Sequence, residues 1–144
     1  MFEIFSGPNG LLFPVMLHLA LILFLFLGVS WKRQMAIRGG RAKVVQFSKS
    51  GSEPEESRRW AKNLDNQFQV PILFYALVAL LYATNATNGW QVLLAWIFVA
   101  GRLLHSGVQL SGDNVPLRGL VFTINFSAVS LMWLLFLAQR FALL

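Results

Sequence analysis

The 144-residue chain contains no cysteine, which excludes a disulfide framework, a protein thiolate nucleophile and a cysteine metal site. Charge is scarce as well: charged residues make up 12% of the chain, against about 25% in soluble globular proteins. A water-facing surface cannot be covered from that supply. Hydrophobic residues make up 56% and the mean hydropathy is +0.60, so lipid is the solvent the chain suits. Its apolar runs lack two-residue alternation, which excludes a membrane barrel. They also lack acidic residues, which argues against a transporter built on paired intramembrane carboxylates.

What is present are four long apolar stretches, at about residues 11–31, 68–83, 90–110 and 117–138, most of them close to the roughly 20 residues that a helix needs to cross hydrocarbon. Inside a bilayer every backbone donor and acceptor must be satisfied within the structure, so the expected fold is all-α. The expected architecture is an integral membrane four-transmembrane-helix bundle forming one domain over 1–144. Most of the charge lies in residues 32–67, which carry nine basic side chains from Lys32 to Lys62. The positive-inside rule makes this loop and the 111–116 loop cytoplasmic, with both termini on the opposite side. The start Met1-Phe2-Glu3-Ile4 lacks the basic region of a secretory signal, so the first run is expected to stay as an anchor. The net charge of +6 belongs to these span-flanking residues and to no nucleic-acid-binding motif, so nucleic acid is not an expected partner.

Ser52-Glu53-Pro54-Glu55-Glu56 has the acidic first turn of a helix start, so the second helix is expected to begin in water and enter the membrane near Phe68. Along it Arg58, Lys62, Asn66 and Gln69 are spaced by four, four and three and share one face. Arg102, His105 and Gln109 repeat the theme on the third span, Arg118 opens the fourth and Lys32-Arg33 closes the first. Groups of this kind at membrane depth face a bundle interior or a ligand, because lipid does not solvate them. Arg102 stands within an apolar run, where an ionisable side chain points to function. The cluster suits an anion: guanidinium forks chelate carboxylates and amides hydrogen-bond a peptide backbone. His18, alone in the first span, is expected to bond a neighbouring helix.

The stretch Arg58-Arg59-Trp60-Ala61-Lys62-Asn63-Leu64-Asp65-Asn66-Gln67-Phe68-Gln69-Val70-Pro71-Ile72-Leu73-Phe74-Tyr75 resembles the signature of the MAPEG family, membrane-associated proteins in eicosanoid and glutathione metabolism, and is closest to its bacterial branch. That signature has a basic residue, an asparagine four later and an acidic residue three after it, followed by a proline; Lys62, Asn66, Gln69 and Pro71 occupy those places. Gly101-Arg102-Leu103-Leu104-His105, the residues Asn114, Pro116 and Arg118, and the pair Lys32-Arg33 are similar to further family features. Gln69 stands where the family has an acid, and Lys62 lacks the bidentate geometry of the family's arginine.

The resemblance implies a homotrimer in a bacterial inner membrane, with glutathione as co-substrate between adjacent subunits and no metal. It implies a glutathione-dependent transferase or peroxidase acting on a lipophilic small molecule among the membrane lipids. Arg118 and Arg33 would be the catalytic, thiolate-stabilising residues, and Lys32, Lys62, Asn66, Gln69, Arg102 and His105 would bind glutathione. A reading from a different class is a non-catalytic membrane module whose cationic ring binds an anionic lipid or a partner protein.

Overall fold

The structure, a computed structural model, describes residues 8–48, 52–112 and 114–141. The amino-terminal tetrapeptide read above as the start of an anchored segment, and Asp113 of the 111–116 loop, lie outside the described residues.

The described elements are all helical, as the absence of alternation requires. A 3-10 turn at Pro8–Leu11 leads into α1 (Leu12–Arg38). Helix α1 runs seven residues past the expected end of its span, because Lys32, Arg33 and Arg38 continue a helix in water as readily as apolar residues do in lipid. Gly40, at φ 67, takes the left-handed conformation that ends it, with Arg41 N–H donating to Ala36 O at 2.9 Å. After a 3-10 turn at Val44–Phe47 come α2 (Glu55–Asp65), a second 3-10 turn at Asn66–Phe68, and α3 (Val70–Ala83). Together α2 and α3 make one candidate span, Glu55–Ala83. Helices α4 (Gly89–Ser111) and α5 (Val115–Arg140) are the remaining two spans, each with an asparagine cap: Asn88 accepts from Gln91 N–H at 3.0 Å and Asn114 from Leu117 N–H at 3.1 Å.

Two apolar clusters hold the bundle. The larger joins α3, α4 and α5 through Phe74, Leu77, Leu81, Phe98, Val99 and Met132, with the Phe74 and Phe98 rings stacked at 4.6 Å. The smaller packs Leu21, Ile22, Leu25 and Val29 of α1 against Leu64, with Trp60 beside them. Small residues permit the closest approaches: a Cβ on Gly28 would overlap the Trp60 ring, and one on Gly101 would overlap the Asn125 amide. Large apolar side chains on all four spans remain exposed, among them Leu27, Ile72, Leu104 and Leu134, and form the lipid-facing belt of an integral membrane protein.

Candidate functional site

The break between α2 and α3 makes the site. Gln69 adopts φ −94, ψ −98, outside helical geometry, and Pro71 supplies no N–H to continue the ladder from α2. The freed backbone carbonyl of Asn66 is taken by Arg102 Nη2 at 2.8 Å. Arg102, 1% exposed, also donates from Nε and Nη2 to Gln67 Oε1 at 3.1 and 2.9 Å. The same oxygen lies 3.2 Å from His18 Nε2, and His18 Nδ1 lies 2.8 Å from the Tyr75 hydroxyl. Because Gln67 Oε1 only accepts, Nε2 carries the His18 proton and Nδ1 accepts from Tyr75.

On its other side Gln67 Nε2 donates to Asn63 O, Asn63 Oδ1 and Ser106 Oγ at 3.0 to 3.1 Å, and Asn63 Nδ2 donates to Ser106 O at 3.1 Å. This buried network ties α1, α2, α3 and α4 together at the break. A cation so placed, with the neutral oxygens of Gln67 and Asn66 accepting from its Nε and Nη2, is held by dipoles, and these hydrogen bonds offset part of the cost of burying it.

Outward from the network a cleft of about 540 Å³ opens between the α2–α3 break, α4 and the start of α5. Its wall carries Lys62, Asp65, Asn66, Gln69, His105, Gln109 and Arg118, with Phe122 on the apolar side. Asn66 Nδ2 donates to Gln109 Oε1 at 3.0 Å, which fixes the asparagine against α4. His105 Nδ1 is buried with no hydrogen-bond partner among the described residues. A smaller pocket of about 130 Å³ shares Lys62, Gln109 and Arg118 with the cleft and adds Arg58, carrying the same basic face toward the start of α2.

The structure thus brings Lys62, Asn66, Gln69, His105 and Arg118 to one wall. It does not bring Lys32, Arg33 or Arg102 there. Arg102 stands behind the wall as its brace. Arg33 is engaged by Glu53, with Nε to Oε1 at 2.7 Å and Nη2 to Oε2 at 3.1 Å, and its guanidinium sits 5.4 Å from the Phe47 ring centre. Partial burial opposes the Glu53 charge, but hydrogen bonds from Arg33 and Ser57 and the charges of Arg33 and Arg58 outweigh it and hold the carboxyl below its ordinary range. Lys32 lies 3.9 Å from Glu56 and faces a separate groove on α1.

Two groups escape the single-stripe reading. Asp65, outside the stripe of Arg58, Lys62, Asn66 and Gln69, also lines the cleft; three residues after Lys62, it occupies the same helical face. The Asn63–Gln67 pair shows a four-residue spacing that matches Arg102–Ser106 on the facing helix, a signal that points to interhelical hydrogen bonding and not to a ligand.

Compared with known families, residues 11–138 match the model of the MAPEG family. No curated protein and no solved structure matched the chain.

Proposed function

The chain belongs to the MAPEG family, which includes glutathione transferases and peroxidases, and from that premise we propose that it is a membrane-bound, glutathione-dependent transferase or peroxidase acting on lipophilic electrophiles or lipid hydroperoxides. The observation that carries the reading is the charge pattern of the cleft. Lys62 and Arg118 supply two cations and Asp65 one carboxylate. Glutathione presents the inverse set, two carboxylates and one ammonium, on a peptide that the amides of Asn66, Gln69 and Gln109 are placed to hydrogen-bond. Asp65 offers the ammonium the acidic partner that Gln69 cannot.

In this reading Arg118, common to the cleft and its smaller neighbour, stabilises the thiolate, because a guanidinium beside a thiol favours the ionised form. The thiol proton passes to water. The sulfur then forms a bond to the electrophilic carbon as the leaving group departs, or to a hydroperoxide oxygen as the O–O bond breaks, the alkoxide taking a proton from water and the resulting sulfenic acid condensing with a second glutathione to disulfide and water. Phe122 and the surrounding bilayer present the apolar co-substrate. Lys62 pairs with a glutathione carboxylate, His105 lines the ligand's side of α4, and Arg102 acts only by positioning Asn66. Lys32 and Arg33, turned to other surfaces of the protomer, have no part in this cleft. The assembly proposed is a homotrimer in a bacterial inner membrane with glutathione between adjacent subunits at the cytoplasmic side.

The test is calorimetry of glutathione on the detergent-purified protein, paired with the ultraviolet absorbance of bound thiolate. Saturable binding at millimolar glutathione is expected. Arg118→Ala should raise the bound thiol pKa by at least about one unit, which is about 1.4 kcal/mol of thiolate stabilisation. No heat of binding to the wild type would sink the proposal, and binding without thiolate would leave a non-catalytic anion-binding module.

A further inference from the structure

A second opening lies on α1, apart from the cleft. It is a groove of about 1080 Å³ whose apolar wall is made by Phe24, Leu27, Trp31 and Met35, with Trp60 of α2 as its floor. The floor exists because Gly28 has no side chain: the Trp60 indole lies in the space a Cβ would take, and its ring packs against Phe24 at 5.5 Å. At the end of the groove nearest water the wall changes character to Lys32, Arg38 and Arg41.

Glu56 reaches two of these cations only loosely, at 3.9 Å from Lys32 and 3.8 Å from Arg41. Arg38 has no ion pair among the described residues. Three cations against one carboxylate leave the rim positively charged. At about 1.5 Å per residue the helix rises about 10 Å from Phe24 to Trp31, within the hydrocarbon, and about 10 Å more from Trp31 to Arg38, through the headgroup level.

We propose that this groove is a binding site for one anionic phospholipid, its acyl chain along Phe24, Leu27, Trp31 and Met35 and its phosphate among Lys32, Arg38 and Arg41. Length, an apolar wall and a cationic rim occur together in the order in which a lipid presents chain and phosphate. A zwitterionic choline lipid would bring an uncompensated ammonium to the same rim. A second copy of the chain docked groove to groove would bring the same three cations against these, so like charges oppose that pairing, and the cyclic trimer proposed above joins unlike faces instead.

The protein, purified in detergent and stripped of lipid, is titrated with phosphatidylglycerol and separately with phosphatidylcholine of the same acyl chains, and bound lipid is counted by native mass spectrometry. One phosphatidylglycerol per chain is expected to bind at least about tenfold more tightly than phosphatidylcholine, and Arg38→Gln with Arg41→Gln should remove that preference while leaving glutathione affinity unchanged. Equal affinity for the two lipids, or a preference that survives the double substitution, overturns the site. The absence of native cysteine gives an independent readout. Leu27→Cys should react with a bulky maleimide in the stripped protein and be protected by phosphatidylglycerol. Lack of protection, or a disulfide between two copies at that position, shows that lipid does not fill the groove.

Discussion

Gln67 Oε1 accepts from two Arg102 nitrogens and from His18, so a leucine at this position leaves a buried guanidinium with Asn66 O as its remaining acceptor. Hydrogen bonds to charged groups contribute about 1.5–3 kcal/mol each when their loss leaves the charge buried. Gln67→Leu should therefore lower unfolding free energy by about 2–4 kcal/mol, read from the midpoint of denaturation in mixed micelles by circular dichroism. A change of about 0.6 kcal/mol, the average for an interhelical hydrogen bond in a bilayer, would mean that Arg102 finds other acceptors. Glu53 makes a second prediction. Its folded carboxyl titrates below the ordinary carboxyl range, so the Arg33 clip contributes its full stability above that range and loses it as pH falls through the lower folded value. Protease cleavage of the 39–54 segment should accelerate in the wild type as pH falls below the ordinary carboxyl range, and Glu53→Gln should cleave fast at neutral pH with little further change. At this scale sequence was informative where a residue was out of place. Arg102 stood out within its apolar run, whereas Gln67 did not, because it adjoins a stripe that already accounted for its neighbourhood. The Arg33 clip was not legible, since its place beside Lys32 in sequence says nothing of Glu53, twenty residues away.

Helices α4 and α5 share the most extensive contact in the bundle, and within it Gly101 leaves the space that the Asn125 amide occupies. The Asn125 amide is buried, and neither of its side-chain atoms has a hydrogen-bond partner among the described residues. A methyl group at Gly101 would collide with that amide, so Gly101→Ala should destabilise by about 1–3 kcal/mol, the usual range for overpacking. Shortening the partner should relieve it: Gly101→Ala combined with Asn125→Ala is expected to recover most of the loss, a non-additivity a denaturation cycle would measure. If the double variant is merely the sum of the singles, the helices separate for another reason. Elements were legible from sequence wherever hydrophobicity alone decides, which covers the cores of all four spans. The interruption at Asn66–Phe68 was not, because Pro71 marks a helix start and gives no hint that three preceding residues leave α-helical geometry to serve Arg102.

The whole molecule combines a lipid-facing belt with a polar cleft, and that combination dictates how the proposed reaction should respond to its solvent. Exposed apolar residues surround all four spans, so an apolar electrophile reaches Phe122 from the bilayer, where its concentration is set by partitioning. In the proposed reaction glutathione reaches Lys62 and Arg118 from water, past Arg58. The two substrates thus come from different phases. Adding inert lipid at fixed total electrophile dilutes only the membrane-dissolved one, so the rate should fall in inverse proportion to added lipid once partitioning is complete, while the KM for glutathione stays constant. Electrophiles of increasing chain length should show this dependence more strongly, because each buried methylene favours the bilayer by about 0.8 kcal/mol. Steady-state rates in nanodiscs or mixed micelles of graded lipid content distinguish the outcomes. A rate that ignores lipid content, or a glutathione KM that climbs with it, would place both substrates in the same phase and remove the membrane from the chemistry.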